Sequence, residues 1–207
     1  MVIEQEIRAL VVADVRVHRN ADKPPVMIGY ASVFNSDSEN LGGFIERVAP
    51  EAFDWTLKQK PDVRALIDHD SSLVLGRTKA GTLRLSVDNK GLKAEIDPPD
   101  TSYARDLMVS MERGDVSQMS FGFRVLEDSW DDLDKEVARR ILRKLDLDGG
   151  DVSIVTYPAY RATKVSVRAL ETLKAAVCPN IVKPDPEQVR KQFLEETRER
   201  IAAFRRK

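Results

Sequence analysis

Two serines stand three positions apart in the run VSQMSFGF at 116–123, and a serine hydroxyl is a common nucleophile in acyl transfer. The segment has the composition of a strand, in which residues three apart face opposite sides of the sheet. Ser117 and Ser120 therefore cannot both share a face with one catalytic base. Ser120 stands close to Gly122, and a glycine in a strand lets a substrate or another backbone approach. For either serine taken alone, an ordinary strand residue is the simpler interpretation.

A serine nucleophile needs a base, and the chain holds two histidines. His69, in LIDHDSS, follows a predicted strand, so a fixed backbone could project its ring into a cleft. His18, in VRVHRN, precedes a turn and is expected to be solvated. Asp151 opens the run DVSIVTYP, and a carboxylate at a strand start could orient a histidine as the third member of a triad does. A surface histidine and a turn aspartate are the alternatives.

The composition argues against several classes of protein. The formal net charge is −1 over 207 residues, so no overall positive field favours nucleic acid or an anionic membrane as a partner. Cys178 is the single cysteine, which rules out an internal disulfide and a multi-cysteine zinc site. The sequence contains no HExxH motif, calcium loop or glycine-rich phosphate loop, so we expect no metal and no cofactor.

The N-terminal segment gives no indication of export. The run MVIEQEIRAL lacks the basic segment and the apolar core of a signal peptide. No stretch approaches the roughly 20 apolar residues that a membrane span needs. The expected location is the cytosol, and no membrane partner is expected.

The elements that must position these residues are mostly short strands. Leu83 to Val87 alternate with polar residues, a turn follows, and the alternation resumes to Ile96, which predicts a hairpin. Pro50 predicts a helix in PEAFDWTLKQK, because proline is favoured at the first helical position. Helical spacing predicts another in TSYARDLMVSMER, where Gly114 would end the helix. The run KEVARRILRKLDL fits a helix or a strand, and we favour the strand. Further strands are predicted at 7–17, 26–34, 63–69, 151–158 and 164–168.

The composition changes after about residue 170. Prolines in the runs CPN and KPDP indicate a linker at 171–184. Asp185 and Pro186 have the residue types that begin a helix, which predicts a charged helical tail at 185–207. The chain is thus divided into a domain at 1–170, a linker and a tail. Runs of strands with isolated helices indicate a β-rich α+β fold and favour a mixed barrel over a doubly wound sheet.

Four blocks, taken in order, resemble one family. They are GYASVFNSDSENLGGFIERVAPEAF, LIDHDSSLVLGRT, DTSYARDLMVSMERGDVSQMSFGFRV and DVSIVTYPAY. Together, over roughly residues 5–168, they are similar to the prohead proteases of tailed bacteriophages, which are serine proteases related to the assemblins of herpesviruses. The resemblance implies an assemblin-like β-barrel surrounded by short helices.

The resemblance also implies the catalytic residues. The family's histidine falls on His69 and its serine on Ser120. The acidic residue that opens the family's (E/D)-(V/I)-S-(L/I)-V-T block falls on Asp151, where relatives often carry Glu. Ser117 inherits no role. Arg77, in LGRT, is a candidate for assisting the reaction or binding the substrate.

The expected activity is that of a serine endopeptidase acting in the bacterial host cytoplasm, within the assembling procapsid. The resemblance implies the phage major capsid protein and a scaffold segment as substrates, and a homodimer by analogy with assemblins. The alternative is a catalytically silent assembly factor that binds the scaffold or the capsid, with the tail helix docking on capsid subunits. Such a factor would need none of the three candidate catalytic residues.

Overall fold

The computed structural model describes residues 5–9, 15–157 and 164–177. Within these ranges the chain forms ten strands and three α-helices. The strands are β1 (Glu6–Ala9), β2 (Val15–Asn20), β3 (Lys23–Val33), β4 (Phe44–Val48), β5 (Arg64–Ile67), β6 (Asp70–Arg77), β7 (Leu83–Val87), β8 (Gly91–Ile96), β9 (Gln118–Asp131) and β10 (Ala138–Val155). The helices are α1 (Asp54–Lys58), α2 (Ser102–Arg113) and α3 (Lys164–Val177).

The larger sheet is built around β10, the longest strand. It has the order β1-β9-β10-β5-β6, and β4 also pairs with β10. The ambiguous run KEVARRILRKLDL lies largely in β10, so the strand prediction for it is confirmed. The strand DVSIV is the second half of β10, and its residues are buried on both faces, as in a central strand.

The smaller sheet has the order β2-β3-β8-β7. The hairpin predicted from alternation is its β7–β8 pair, in which Val87 lies opposite Leu92 and Leu83 opposite Ile96. Gly29 in β3 is packed so tightly that a Cβ atom there would lie 2.6 Å from Val15 and 2.8 Å from the sulfur of Met119 in β9. The two sheets therefore pack directly on each other and share one hydrophobic core.

In the part of the chain that the structure describes, the expected barrel is not closed. The sheets approach each other where the Val15 N–H donates to the Ser117 carbonyl, at 3.1 Å, but no strand ladder continues from there. The physical reason is that β1 pairs with β9 over Ser120–Phe123 and takes the edge that β2 would need. The observed fold is thus a β-rich pair of open sheets with a few short helices.

One helix prediction is confirmed, and one strand prediction is wrong. The helix predicted at 101–113 is confirmed as α2, which ends at Gly114 with φ +84°. The strand predicted at 164–168 is wrong, because these residues begin α3. Leu170 of α3 is buried beside Leu41 and Phe44, and Val167 packs against the same cluster, which is helical spacing rather than alternation.

The predicted division of the chain is only partly within the described ranges. Helix α3 continues past residue 170 to Val177. The rest of the predicted linker, with Cys178, and the predicted tail at 185–207 lie outside the described residues, so this division stays a prediction. Among the described helices, none has the length and apolar character that crossing a membrane requires.

Candidate active site

His69 lies in the tight turn that joins β5 to β6. Ile67 pairs with Asp70, so Asp68 and His69 are the two turn residues, with φ of +49° and +59°. Both are in the left-handed region, which a two-residue hairpin turn of this kind requires but residues other than glycine adopt infrequently. The Asp68 carboxylate accepts hydrogen bonds from the backbone N–H and the hydroxyl of Thr156, at 2.8 and 3.1 Å. The turn is thereby tied to the residue that follows β10.

Ser120 and Asp151 lie on neighbouring strands of the larger sheet. Ser120 of β9 is opposite Ser153 of β10, and Asp151 is opposite Gly122. Residues two apart in a strand share a face, so Ser120, Asp151 and Ser153 are on the same face of the sheet. Gly122 is essential to this arrangement, because a Cβ atom there would lie 2.8 Å from Oδ1 of Asp151.

The structure brings the three predicted site residues into one hydrogen-bonded line. His69 Nδ1 lies 2.6 Å from Asp151 Oδ2, and His69 Nε2 lies 2.8 Å from Ser120 Oγ. An ionised carboxylate only accepts hydrogen bonds, so Nδ1 carries the hydrogen and Nε2 of the neutral ring is free to accept one from Ser120. This order of groups is suited to removing a proton from the serine hydroxyl.

Ser153 is a fourth member of the site that the sequence analysis did not identify. Its hydroxyl is fully buried and donates to Asp151 Oδ2 at 2.5 Å. Ser153 Oγ also accepts a hydrogen bond from the backbone N–H of His69, at 3.3 Å. Ser153 therefore holds both the carboxylate and the backbone of the histidine. No local signal separates it from other strand serines, although it stands two residues after Asp151 on the same predicted face.

The other residues named from sequence lie elsewhere. Ser117 is exposed and precedes the first residue of β9. His18 is exposed in β2. Arg77 forms a two-pronged ion pair with Asp62, at 2.7 and 2.6 Å, at the end of the β5–β6 hairpin opposite the His69 turn.

A cluster of charged side chains is buried next to this site, and we refer to Glu6, Arg8, Glu46 and Arg140 as the buried charge cluster. Each has about 5% or less of its side chain exposed. Arg8 lies between Glu6 and Glu46, at 2.5 and 2.7 Å, and Arg140 lies 3.0 Å from each of the same two carboxylates. Burial raises the pKa of Glu46, and the two guanidinium groups oppose that rise. Arg8 and Arg140 lie in runs that the sequence predicts as strands, but strand pattern alone does not indicate that charged side chains face inward.

Ser120 has no exposed surface. Besides its contact with His69, the Ser120 hydroxyl donates a hydrogen bond to the backbone carbonyl oxygen of Arg8, at 2.8 Å. A hydroxyl has a single hydrogen, so the Arg8 carbonyl and His69 Nε2 compete for it. Strand β1 thus covers the residue that the sequence identifies as the nucleophile.

Comparison with known proteins gives a family and a structural likeness. A family model described as Caudovirus prohead serine protease matches residues 12–176. Among solved structures, the chain is similar to the bacteriophage T4 capsid assembly protease, gp21, with 8% sequence identity and a TM-score of 0.44. The aligned part covers 72% of this chain and 96% of the T4 chain. No sequence among the curated proteins matches.

Proposed function

Because the chain belongs to the caudovirus prohead serine protease family, we propose that it is a serine endopeptidase using Ser120, His69 and Asp151. Its substrates are the scaffold and capsid-protein segments that are removed inside the procapsid during head maturation. The observation that carries the proposal is the line of hydrogen bonds from Ser120 Oγ through the His69 ring to Asp151 Oδ2, with separations of 2.8 and 2.6 Å.

The reaction is acyl transfer. His69 Nε2 accepts the hydroxyl proton as Ser120 Oγ attacks a peptide carbonyl carbon, and Asp151 stabilises the imidazolium that forms. The imidazolium then protonates the leaving amine, and the peptide C–N bond breaks to leave an ester on Ser120. Water, activated by the same histidine, hydrolyses the ester and restores the hydroxyl.

The environment of Asp151 supports this role. Its Oδ2 accepts one hydrogen bond from the His69 ring and one from Ser153, so the carboxylate has a single orientation toward the histidine. Asp68 and Asp70, the other acids beside His69 in the sequence, are engaged with Thr156 and Ser72. Asp151 is therefore the carboxylate available to orient the base, although relatives often have the longer Glu at this position.

The test is labelling of the purified full-length protein with a fluorophosphonate probe, followed by peptide mapping, together with cleavage of the cognate scaffold. We expect the label on Ser120, and we expect Ser120→Ala and His69→Ala each to abolish labelling and cleavage. Ser117→Ala is the matched control, because Ser117 is exposed and lies just before the same strand. A labelled Ser117, or full activity in Ser120→Ala, would overturn the assignment. Complete inactivity of the wild-type protein would favour the silent assembly factor.

A further inference from the structure

Strand β1 lies at the edge of the larger sheet, directly beside Ser120. It pairs in antiparallel fashion with β9, and Ala9 is opposite Ser120 while Arg8 is opposite Phe121. An extended peptide that binds a sheet edge takes the same kind of position and makes the same backbone hydrogen bonds. β1 therefore occupies the edge that a substrate segment would use beside the nucleophile.

The backbone of β1 has a definite register against Ser120. The carbonyl oxygen of Arg8 is the acceptor at 2.8 Å from Ser120 Oγ, so the peptide group that joins Arg8 to Ala9 lies at the nucleophile. In a substrate with this register, Arg8 corresponds to the residue immediately before the scissile bond. Glu6 corresponds to the residue two positions earlier, on the same face of the strand.

Both of these β1 side chains enter charged surroundings that other strands provide. The Arg8 guanidinium meets the Glu46 carboxylate of β4 through two nitrogens, at 2.7 and 3.3 Å. The Glu6 carboxylate meets Arg140 of β10, with both oxygens near Nη1 at 3.2 and 3.0 Å. Arg140 is anchored in addition by Asp128, at 2.7 Å from its Nε. Arg140 also donates to Glu46, at 3.0 Å. An acidic pocket wall and a basic pocket wall therefore lie side by side where the two β1 side chains enter.

The charge of these pockets is informative because burying ions is costly. Replacing a buried ion pair with apolar residues is often neutral or stabilising, so a strand with a purely structural role does not need this cluster. The requirement is different for a pocket that binds successive substrate segments and is filled with water between them. Charged walls then select the incoming side chain by charge complementarity and remain compatible with water when the segment leaves.

We propose that β1 is seated as a substrate-like segment, and that Glu46 and Arg140 are specificity-determining residues of the protease. Glu46 receives a basic side chain immediately before the scissile bond, and Arg140 receives an acidic side chain two positions earlier. The favoured substrates are extended segments of the form acidic–any–basic, and β1 must leave the edge of β9 before such a segment binds. The proposal rests on the proposed function of the Ser120 site.

The first test uses internally quenched peptides containing Glu-Ile-Arg-Ala, with Gln replacing Glu or Arg one at a time, on the full-length protein. We expect cleavage after Arg, with kcat/KM lowered at least about 10-fold by either replacement, as for loss of a buried charged contact. Equal cleavage of the three peptides would overturn the proposal. This comparison uses the wild-type protein alone, so it does not depend on any variant folding.

The second test assigns each pocket. In Glu46→Gln, we expect the preference for Arg over Gln before the scissile bond to fall toward one, while the preference for Glu two positions earlier remains. In Arg140→Gln, we expect the preference for Glu two positions earlier to fall toward one, while the preference for Arg before the scissile bond remains. Glu127→Gln is the control, since Glu127 is exposed and pairs with Lys144 outside the cluster. If both preferences survived in the folded Glu46→Gln and Arg140→Gln proteins, the pocket assignment would be wrong.

The third test concerns the seating of β1. Arg8→Gln removes the ionic contact to Glu46, so we expect Ser120 to react with a fluorophosphonate several times faster than in the wild-type protein. Arg19→Gln, which removes an exposed ion pair with Glu112, is the control and should react at the wild-type rate. An unchanged rate in Arg8→Gln would contradict the seating of β1 over the nucleophile. Labelling of Ser120 without any peptide preference would reject this inference and leave the proposed function standing, whereas absence of labelling in every form would reject the proposed function itself.

Discussion

The hydroxyl of Ser153 lies 2.5 Å from Oδ2 of Asp151, and both residues are buried on the same face of β10. The same carboxylate oxygen also accepts from the His69 ring. Because Ser153 Oγ in turn accepts the backbone N–H of His69, one hydroxyl determines how the carboxylate and the histidine face each other. The orientation of the candidate site thus depends on a residue outside the Ser120–His69–Asp151 line.

We predict that Ser153→Ala lowers kcat with little change in KM. Loss of a hydrogen bond to a charged group is worth about 1.5–3 kcal/mol, which corresponds to about 10- to 100-fold in rate. Steady-state cleavage of a quenched peptide gives the two constants separately. Ser86→Ala, at an exposed position of β7, should behave as the wild-type protein. A rise in KM with kcat unchanged would show that Ser153 acts on binding instead.

Asp151→Asn is predicted to lower kcat on the order of 10⁴-fold while the protein stays folded. The amide keeps the shape of the carboxylate but presents a donor or a neutral acceptor to His69, so the hydrogen on Nδ1 is no longer favoured. Burst labelling of Ser120 with the fluorophosphonate probe measures the effect independently of product release. Activity close to that of the wild-type protein would exclude Asp151 as the third member of the triad.

Gly122→Ala is predicted to lower the catalytic rate more than it lowers the stability of the fold. The added Cβ would lie 2.8 Å from Oδ1 of Asp151 and 2.6 Å from the side-chain nitrogen of Gln5, so the carboxylate must move. A displacement of this kind near reacting groups can lower the rate by about 10²-fold. Gly76→Ala is the comparison, because its Cβ would meet the Thr82 carbonyl at 2.7 Å. That variant should lose thermal stability and keep the activity of its folded fraction.

The ion pair between Asp62 and Arg77 predicts a pH-dependent contribution to stability. Hydrogen bonding from the Arg77 guanidinium lowers the pKa of Asp62 from 3.8 to about 2. A carboxyl whose pKa is lower in the folded state stabilises the fold above its ordinary pKa and loses that effect as the pH falls through about 2. Asp62→Asn should therefore lower Tm at pH 7, and the difference from wild type should shrink between pH 4 and pH 2. Asp22→Asn, at an exposed turn position, is the control. If the difference in Tm between Asp62→Asn and the wild-type protein were the same at every pH, the prediction would be contradicted.

Local sequence pattern was sufficient to predict those elements whose conformation is determined by their own residues. The β7–β8 hairpin follows from alternation around a turn, and helix α2 follows from its spacing and from Gly114. The error at 164–168 has the same origin, since alternation over five residues in KVSVR is too short to exclude a helix. The helix-favouring residues that follow, in RALETLKAA, decide the conformation of the whole segment.

The site was predictable in part for a related reason. His69, Ser120 and Asp151 are in separate blocks that were matched to a family, and the strand pattern placed each at a plausible position. A strand was predicted at 7–17, which overlaps β1. The role of Ser153 and the position of β1 beside Ser120 were not predicted, because both come from pairing across the sheet. Neither a buried hydroxyl nor an inward-facing charge differs from its exposed counterpart in a single sequence. The prediction of a closed barrel was not met for the same reason, since β1 pairs with β9 and occupies its edge.

The place of β1 in the sheet also sets an order of events during synthesis. Arg8 and Ser120 are 112 positions apart, and Glu6 and Arg140 are 134 apart, so β1 has no partner in this sheet until β9 and β10 have been made. Contacts of such long sequence separation form late in folding, after local hairpins. We therefore expect the pairing of β1 with β9, which covers the Ser120 hydroxyl, to be among the last contacts of the sheet to form. In this order of folding, the docking of β1 on β9 is the step that covers Ser120.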